Sequence, residues 1–92
     1  MAEFNNLGEY LKNKRSERKM TQAQVAEALK DVHVQFVSNW ERGLCAPPAH
    51  SFQRLIEVLK LDRDRLVNVM LEDAKGEIET KVFKKKAKKK TT

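Results

Sequence analysis

Residues 21–43, TQAQVAEALKDVHVQFVSNWERG, decide how this chain folds. Thr21 and Gln24 have the spacing of a capping box: the threonine hydroxyl accepts from the third helical N–H while the glutamine reaches back. Val25, Ala26 and Leu29 then make one apolar stripe over a short helix. Val37 and Trp40, at i and i+3, mark the inner face of another over roughly residues 33–42. Gly43 follows directly, where a helix needs a left-handed residue to stop. About four residues join the two helices. Asp31 and His33 are both placed to cap the second.

Working outward, the periodicity stays helical from residue 6 to about residue 75, with no alternating strand pattern and no internal repeat. Asn6 with Glu9 reads as a capping box opening a helix through Leu7, Tyr10 and Leu11 to about Lys19. Only Met20 and Thr21 separate it from the next helix, so the two must turn sharply against each other. Leu44-Cys45-Ala46-Pro47-Pro48 is a loop, because neither proline can continue a helix. Phe52, Leu55, Ile56 and Leu59 mark a fourth helix. Asp62 caps a fifth, with Leu66, Val67, Met70 and Leu71 as its expected buried face. The predicted fold is all-α, a compact five-helix domain over residues 1–75, followed by a lysine-rich segment over 76–92. Lys81 to Thr92 hold seven lysines and no acid, a composition that predicts a disordered tail.

With 92 residues and 10.7 kDa, of which 40% are apolar, the chain has room for one small domain but not for a deep substrate cavity and its supporting shell. No Ser/His/Asp set, glycine-rich phosphate loop or paired-carboxylate site stands out, so no enzyme and no cofactor are expected. A lone Cys45 makes no internal disulfide. No apolar run is long enough to span a bilayer, and the first residues do not form a signal peptide, which makes the cytoplasm the expected location. His33, Cys45 and His50 are one ligand short of a structural zinc site, and no metal is expected.

The formal charge is +6, which favours an anionic partner, with nucleic acid and membrane surfaces the usual ones. That charge is unevenly placed. Residues 1–75 carry 12 basic and 11 acidic side chains, whereas residues 76–92 carry 7 and 2. The lysine run lacks an accompanying amphipathic face, so a membrane role is not favoured. It is either solvated or in non-specific contact with a DNA backbone.

Two short helices joined by a tight turn, with further core helices after them, have the arithmetic of a helix-turn-helix over about residues 21–42. From Leu7 to Leu71 the chain resembles the lambda-repressor/Cro (XRE-like) helix-turn-helix family. The matching residues are Lys14-Arg15, Met20-Thr21-Gln22, Val25-Ala26-Glu27-Ala28-Leu29, Val37-Ser38-Asn39-Trp40-Glu41-Arg42-Gly43, Pro47 and the stretch from Leu59 to Leu66. The resemblance implies a transcriptional regulator, a repressor acting as a homodimer on double-stranded DNA. It implies an Arg15–Glu41 ion pair in or beside the core, and Trp40 as packing. The DNA contacts it implies are Gln22, His33, Val34, Gln35, Ser38, Asn39 and Arg42. Gln22 and Arg42 fall to phosphates; Val34, Gln35 and Asn39, with Ser38 beside them, fall to bases. Glutamine and asparagine can pair with the N6/N7 edge of adenine, and valine suits a thymine methyl.

The chain departs from the family in its turn, which is one residue longer at Lys30-Asp31 and lacks the usual glycine. Phe36 stands where the family has a small polar residue; it either flanks Trp40 in the core or meets a thymine methyl. Two other functions fit the same residues: an antitoxin-like autoregulator that also binds a toxin, and a nucleoid or RNA-binding module relying on charge.

Overall fold

Helix α2 (Gln22–Leu29) opens on the expected capping box: Thr21 Oγ1 accepts from the Gln24 N–H at 3.0 Å, and Gln24 Oε1 accepts from the Thr21 N–H at 2.8 Å. The computed structural model describes residues 3–83. Before α2 lies α1 (Asn5–Glu17), and after it come α3 (Val34–Glu41), α4 (Ala49–Leu59) and α5 (Arg63–Ile78), which runs on into one π turn over Glu79–Phe83. No strand occurs among the described residues. Leu7, Leu11, Val25, Leu29, Val37, Trp40, Leu55, Leu59 and Leu66 fill a single core to which all five helices contribute.

Helix α1 starts differently from the expected Asn6–Glu9 box. Phe4 holds its N-cap position and supplies no side-chain cap. Instead the N–H groups of Asn6 and Leu7 each donate to a carboxylate oxygen of Asp73, both at 2.9 Å. Unpaired N–H groups and a partial positive charge at a helix start make it a good seat for a carboxylate. Here the seat is filled from a residue 66 positions away in sequence. Tyr10 secures the other end of the contact, its hydroxyl accepting from the Asp62 N–H at 2.9 Å. Helix α5 therefore runs antiparallel along α1.

That docking corrects the expected face of α5. Leu66, Val69 and Asp73 turn inward, while Val67 and Leu71 are 53% and 60% exposed and Met70 lies at the margin. The rotation that brings Asp73 to α1 carries the row Val67–Leu71 outward, about 100° per residue round the helix. Helix α5 also does not stop at Lys75. Asp62 caps its start by accepting from the Asp64 N–H. A Glu77–Lys81 pair at 3.0 Å bridges its last turn. That hydrogen bond holds the Glu77 carboxyl below its ordinary range. Residues 76–83 of the expected tail are thus helical, and residues 84–92 lie outside the described segment.

Helix ends are set by left-handed residues. Helix α1 closes in a Schellman motif, with Lys19 at φ 56° and the Met20 N–H returning to the Arg15 carbonyl at 3.2 Å. Gly43, at φ 75°, ends α3 in the same way, and the Leu44 N–H returns to the Asn39 carbonyl at 3.0 Å. Gly8 answers a different need. A β-carbon there would sit 2.6 Å from the Trp40 carbonyl oxygen and 2.7 Å from that of Glu41. The absence of a side chain lets α1 lie directly on the C-terminal end of α3.

Replacing Asp73 with alanine should strand two N–H groups at the start of α1. The expected loss is about 1–3 kcal/mol, the cost of one buried unsatisfied donor, with the Leu7 N–H carrying most of it because the Asn6 N–H is only part-buried. Urea unfolding measures it, and a change below about 0.5 kcal/mol would show that solvent replaces the carboxylate.

Candidate functional site

The turn between α2 and α3 carries the chain's departure from a glycine-containing turn. Lys30 has φ 75° and ψ −68°, and the Asp31 N–H donates to the Leu29 carbonyl at 2.9 Å. This is a γ-turn of the positive-φ kind, which is strained for any residue with a β-carbon. The extra residue is absorbed there and not within α3. Of the two possible caps, the structure uses His33, whose Nδ1 accepts from the Gln35 N–H at 3.0 Å. Acceptance requires that nitrogen to be unprotonated. Helix α3 then starts at Val34.

At the other end of α3, Glu41 is held by polar groups of two other helices. Arg15 of α1 meets it bidentately, Nε to Oε2 at 2.6 Å and Nη2 to Oε1 at 3.1 Å. The third guanidinium nitrogen, Nη1, donates to the Met20 carbonyl at 2.8 Å in the α1–α2 turn. Gln22, at the start of α2, donates from Nε2 to Glu41 Oε1 at 2.9 Å. The Glu41 side chain is 5% exposed and that of Arg15 16%. Their charges are largely removed from water and so depend on each other. Arg15 and Glu41 therefore stand as the sequence expects. Gln22 is drawn into the same network, with one Nε2 hydrogen left for an outside acceptor.

Between these ends lies the outer face of α3. Val37 and Trp40, both 3% exposed, point into the core. Gln35 and Asn39, one turn apart, lie opposite, and Gln35 Nε2 donates to Asn39 Oδ1 at 3.1 Å. The contact fixes the Gln35 amide plane and leaves its carbonyl oxygen and second N–H free. Ser38 is half-buried on one flank, Val34 is 37% exposed beside it, and Arg42 is exposed at the helix end. His33, Val34, Gln35, Ser38, Asn39 and Arg42 are thus gathered on or around one surface of one helix, and Gln22 stands nearby at the start of α2. Phe36 is 53% exposed and so does not pack in the core. It forms one wall of an open cleft with Leu29, Trp40, Pro48 and Arg54. Cys45 and His50 lie on the same cleft, apart from His33, which is committed to its cap.

Two features of the arrangement differ in how far the sequence signals them. Gly8 sits inside a helical pattern, where a glycine hints at close backbone approach. The exposure of Phe36 has no such hint, because an aromatic beside Val37 and Trp40 reads equally well as core.

The sequence profile of the helix-turn-helix family matches residues 11–66, more than half of the chain. No curated protein sequence matches it. Among solved structures, the crystal structure of the clp gene regulator ClgR from Corynebacterium glutamicum shares the fold, with 20% identity and a TM-score of 0.65. The alignment covers 91% of this chain and 89% of that one. Among the described residues no helix is long and apolar enough to cross a membrane.

Two substitutions probe the geometry that holds α3. Glu41→Ala should leave the Arg15 guanidinium buried and unpaired, lowering stability by about 3 kcal/mol. The melting temperature of so small a domain should fall by more than about 10 °C; a shift within error would mean that water takes over the arginine. Lys30→Gly should raise the melting temperature, because relief of roughly 1–3 kcal/mol of backbone strain outweighs the roughly 0.5–1 kcal/mol entropic disadvantage of glycine. A lower melting temperature would show the γ-turn to be unstrained.

Proposed function

The chain belongs to the helix-turn-helix family of DNA-binding transcription regulators, and from that premise we propose that it is a sequence-specific repressor that binds a two-fold operator as a homodimer. Helix α3 enters the major groove with Gln35 and Asn39 facing the bases. A glutamine amide offers an acceptor to adenine N6 and a donor to N7 in one plane. The observation that carries the reading is the Gln35–Asn39 hydrogen bond on the outward face of a helix whose opposite face is locked in the core. It orients the reading amide before DNA arrives, which lowers the entropy lost on binding.

Phosphate contacts fall to Arg42 at the end of α3 and to Gln22 at the start of α2, where backbone N–H groups and the helix dipole favour an anion. His33 and Val34 occupy the entry of α3, beside the adjoining base pairs, and Ser38 the flank towards α2. Homodimerisation is supported by the row Val67, Met70, Leu71 and Ile78, apolar side chains left exposed among the described residues on the side of α5 away from α1. Two copies related by a two-fold axis would place their α3 helices on half-sites about 34–36 Å apart. The lysines of residues 84–92 add sequence-independent attraction to the DNA backbone.

A binding-site selection on random duplex DNA, followed by competition, tests the reading. The selected duplex should resist displacement by a large excess of random duplex. Gln35→Ala should weaken binding to it by about 1–3 kcal/mol and relax the preference at one base pair. Equal weakening on selected and random DNA would remove Gln35 from base reading. A selection that enriches nothing would favour the charge-driven alternative.

A further inference from the structure

Phe36 is the largest side chain on α3 left outside the core, with 53% of its surface in water. It is not isolated there. At about 100° of rotation per residue, Phe36 lies about 60° round the helix from Asn39 and about 100° from Gln35. The reading arc therefore runs from Gln35 through Asn39 to Phe36, with an apolar group at its edge. Val34, 37% exposed, closes the other edge. The inner neighbours of Phe36, Val37 and Trp40, already fill the core side of the helix. The cleft beyond the phenyl ring is open to solvent, and among the described residues about half of the surface of Phe36 stays uncovered.

We propose that Phe36 reads the C5-methyl group of a thymine, making A·T the required pair beside the one that Gln35 contacts. The inference rests on the DNA-binding reading given above. In the major groove the base edges present hydrogen-bonding groups, and the thymine methyl is the one distinctly apolar feature among them. A phenyl ring carried into the groove beside Gln35 gains by covering that methyl and loses by desolvating any other edge. Gln35 and Phe36 then divide the work. The amide distinguishes adenine by donor and acceptor, and the ring distinguishes thymine by shape and hydrophobicity.

The test removes the methyl and nothing else. Each thymine of the selected duplex is replaced in turn by deoxyuridine, which keeps every hydrogen-bonding group. Dissociation constants are measured for the unaltered protein, Phe36→Ala and Phe36→Leu, with circular dichroism confirming that each variant is folded. At one thymine per half-site the unaltered protein should lose about fourfold in affinity, the equivalent of one buried methyl group. Phe36→Ala should bind the thymine and uridine duplexes equally at that position, and Phe36→Leu should retain part of the difference. Indifference of the unaltered protein to every substitution would overturn the assignment. So would a Phe36→Ala variant with undiminished uridine sensitivity, which would give the methyl contact to Val34 or another group. A selection that yields no preferred duplex would fail the DNA-binding reading and this inference together. A preferred duplex without a Phe36-dependent methyl effect fails the inference alone.

Discussion

Glu41 and Arg15 form the contact on which the placement of α3 depends. An eight-residue helix such as α3 is too short to persist by its own hydrogen bonds, because nucleation is costly and few residues share the cost. Its direction must come from neighbours. Glu41, its last residue, is gripped by α1 through Arg15 and by α2 through Gln22, and the Met20 carbonyl in the α1–α2 turn fixes the arginine in turn. The ion pair need not add much net stability, since desolvating two charges offsets most of their attraction. Its effect is directional: any rotation of α3 would break a bidentate contact in a site where water has little access. Gly8 adds a steric condition, with α1 pressed against the last carbonyls of α3.

The two ends of α3 are held with unequal force. The C-terminal end has the ion pair, the Schellman closure at Gly43 and the Gly8 contact. The N-terminal end has a single histidine cap and follows a strained residue, Lys30. Thermal displacement should therefore grow from Glu41 towards Val34, and the weakest links of a structure open first. Asn39 lies near the fixed end and Gln35 near the looser one. The hydrogen bond between them spans that gradient and transfers part of the rigidity of Asn39 to Gln35.

How much of this the sequence discloses depends on the range of each interaction. Local signals read cleanly. The Thr21–Gln24 box, the Asp62 cap, the left-handed Gly43 and the apolar stripe of α4 are each decided within a few residues. The Arg15–Glu41 pair is long-range, yet it is legible through family resemblance, because both residues match motif positions. Asp73 is not legible. An acid near the C-terminal half of a helix is locally unfavourable with respect to the dipole, and nothing nearby shows that α1 offers it two N–H groups. Without that contact the rotation of α5 is undetermined, which is why Val67, Met70 and Leu71 read as core in the sequence and face outward in the fold. Phe36 fails for a related reason: its neighbours Val37 and Trp40 are core, and periodicity cannot assign an aromatic that lies between the inner and outer faces. Among the site residues, Gln22 matches the family pattern, but its engagement with Glu41 needs coordinates.

The charge distribution acquires a meaning from this geometry. Residues 1–75 are close to neutral, with 12 basic against 11 acidic side chains, and the buried Arg15 and Glu41 remove one of each from the surface. Non-specific attachment to DNA is almost wholly electrostatic, so a nearly neutral domain has little of it to offer. Under the proposed function, preference for one duplex over another then rests on contacts that depend on base identity: amide against adenine and apolar groups against methyl. On the same proposal, the lysines beyond Phe83 would add attraction equally to every sequence. In that function they would raise affinity for operator and random DNA alike and leave the ratio between them to α3. In the proposed reading base discrimination then resides on α3, while electrostatic attachment is shared between the lysines and the phosphate contacts of Arg42 and Gln22. Added salt therefore weakens binding to operator and random duplex together and leaves the base contacts to set their ratio.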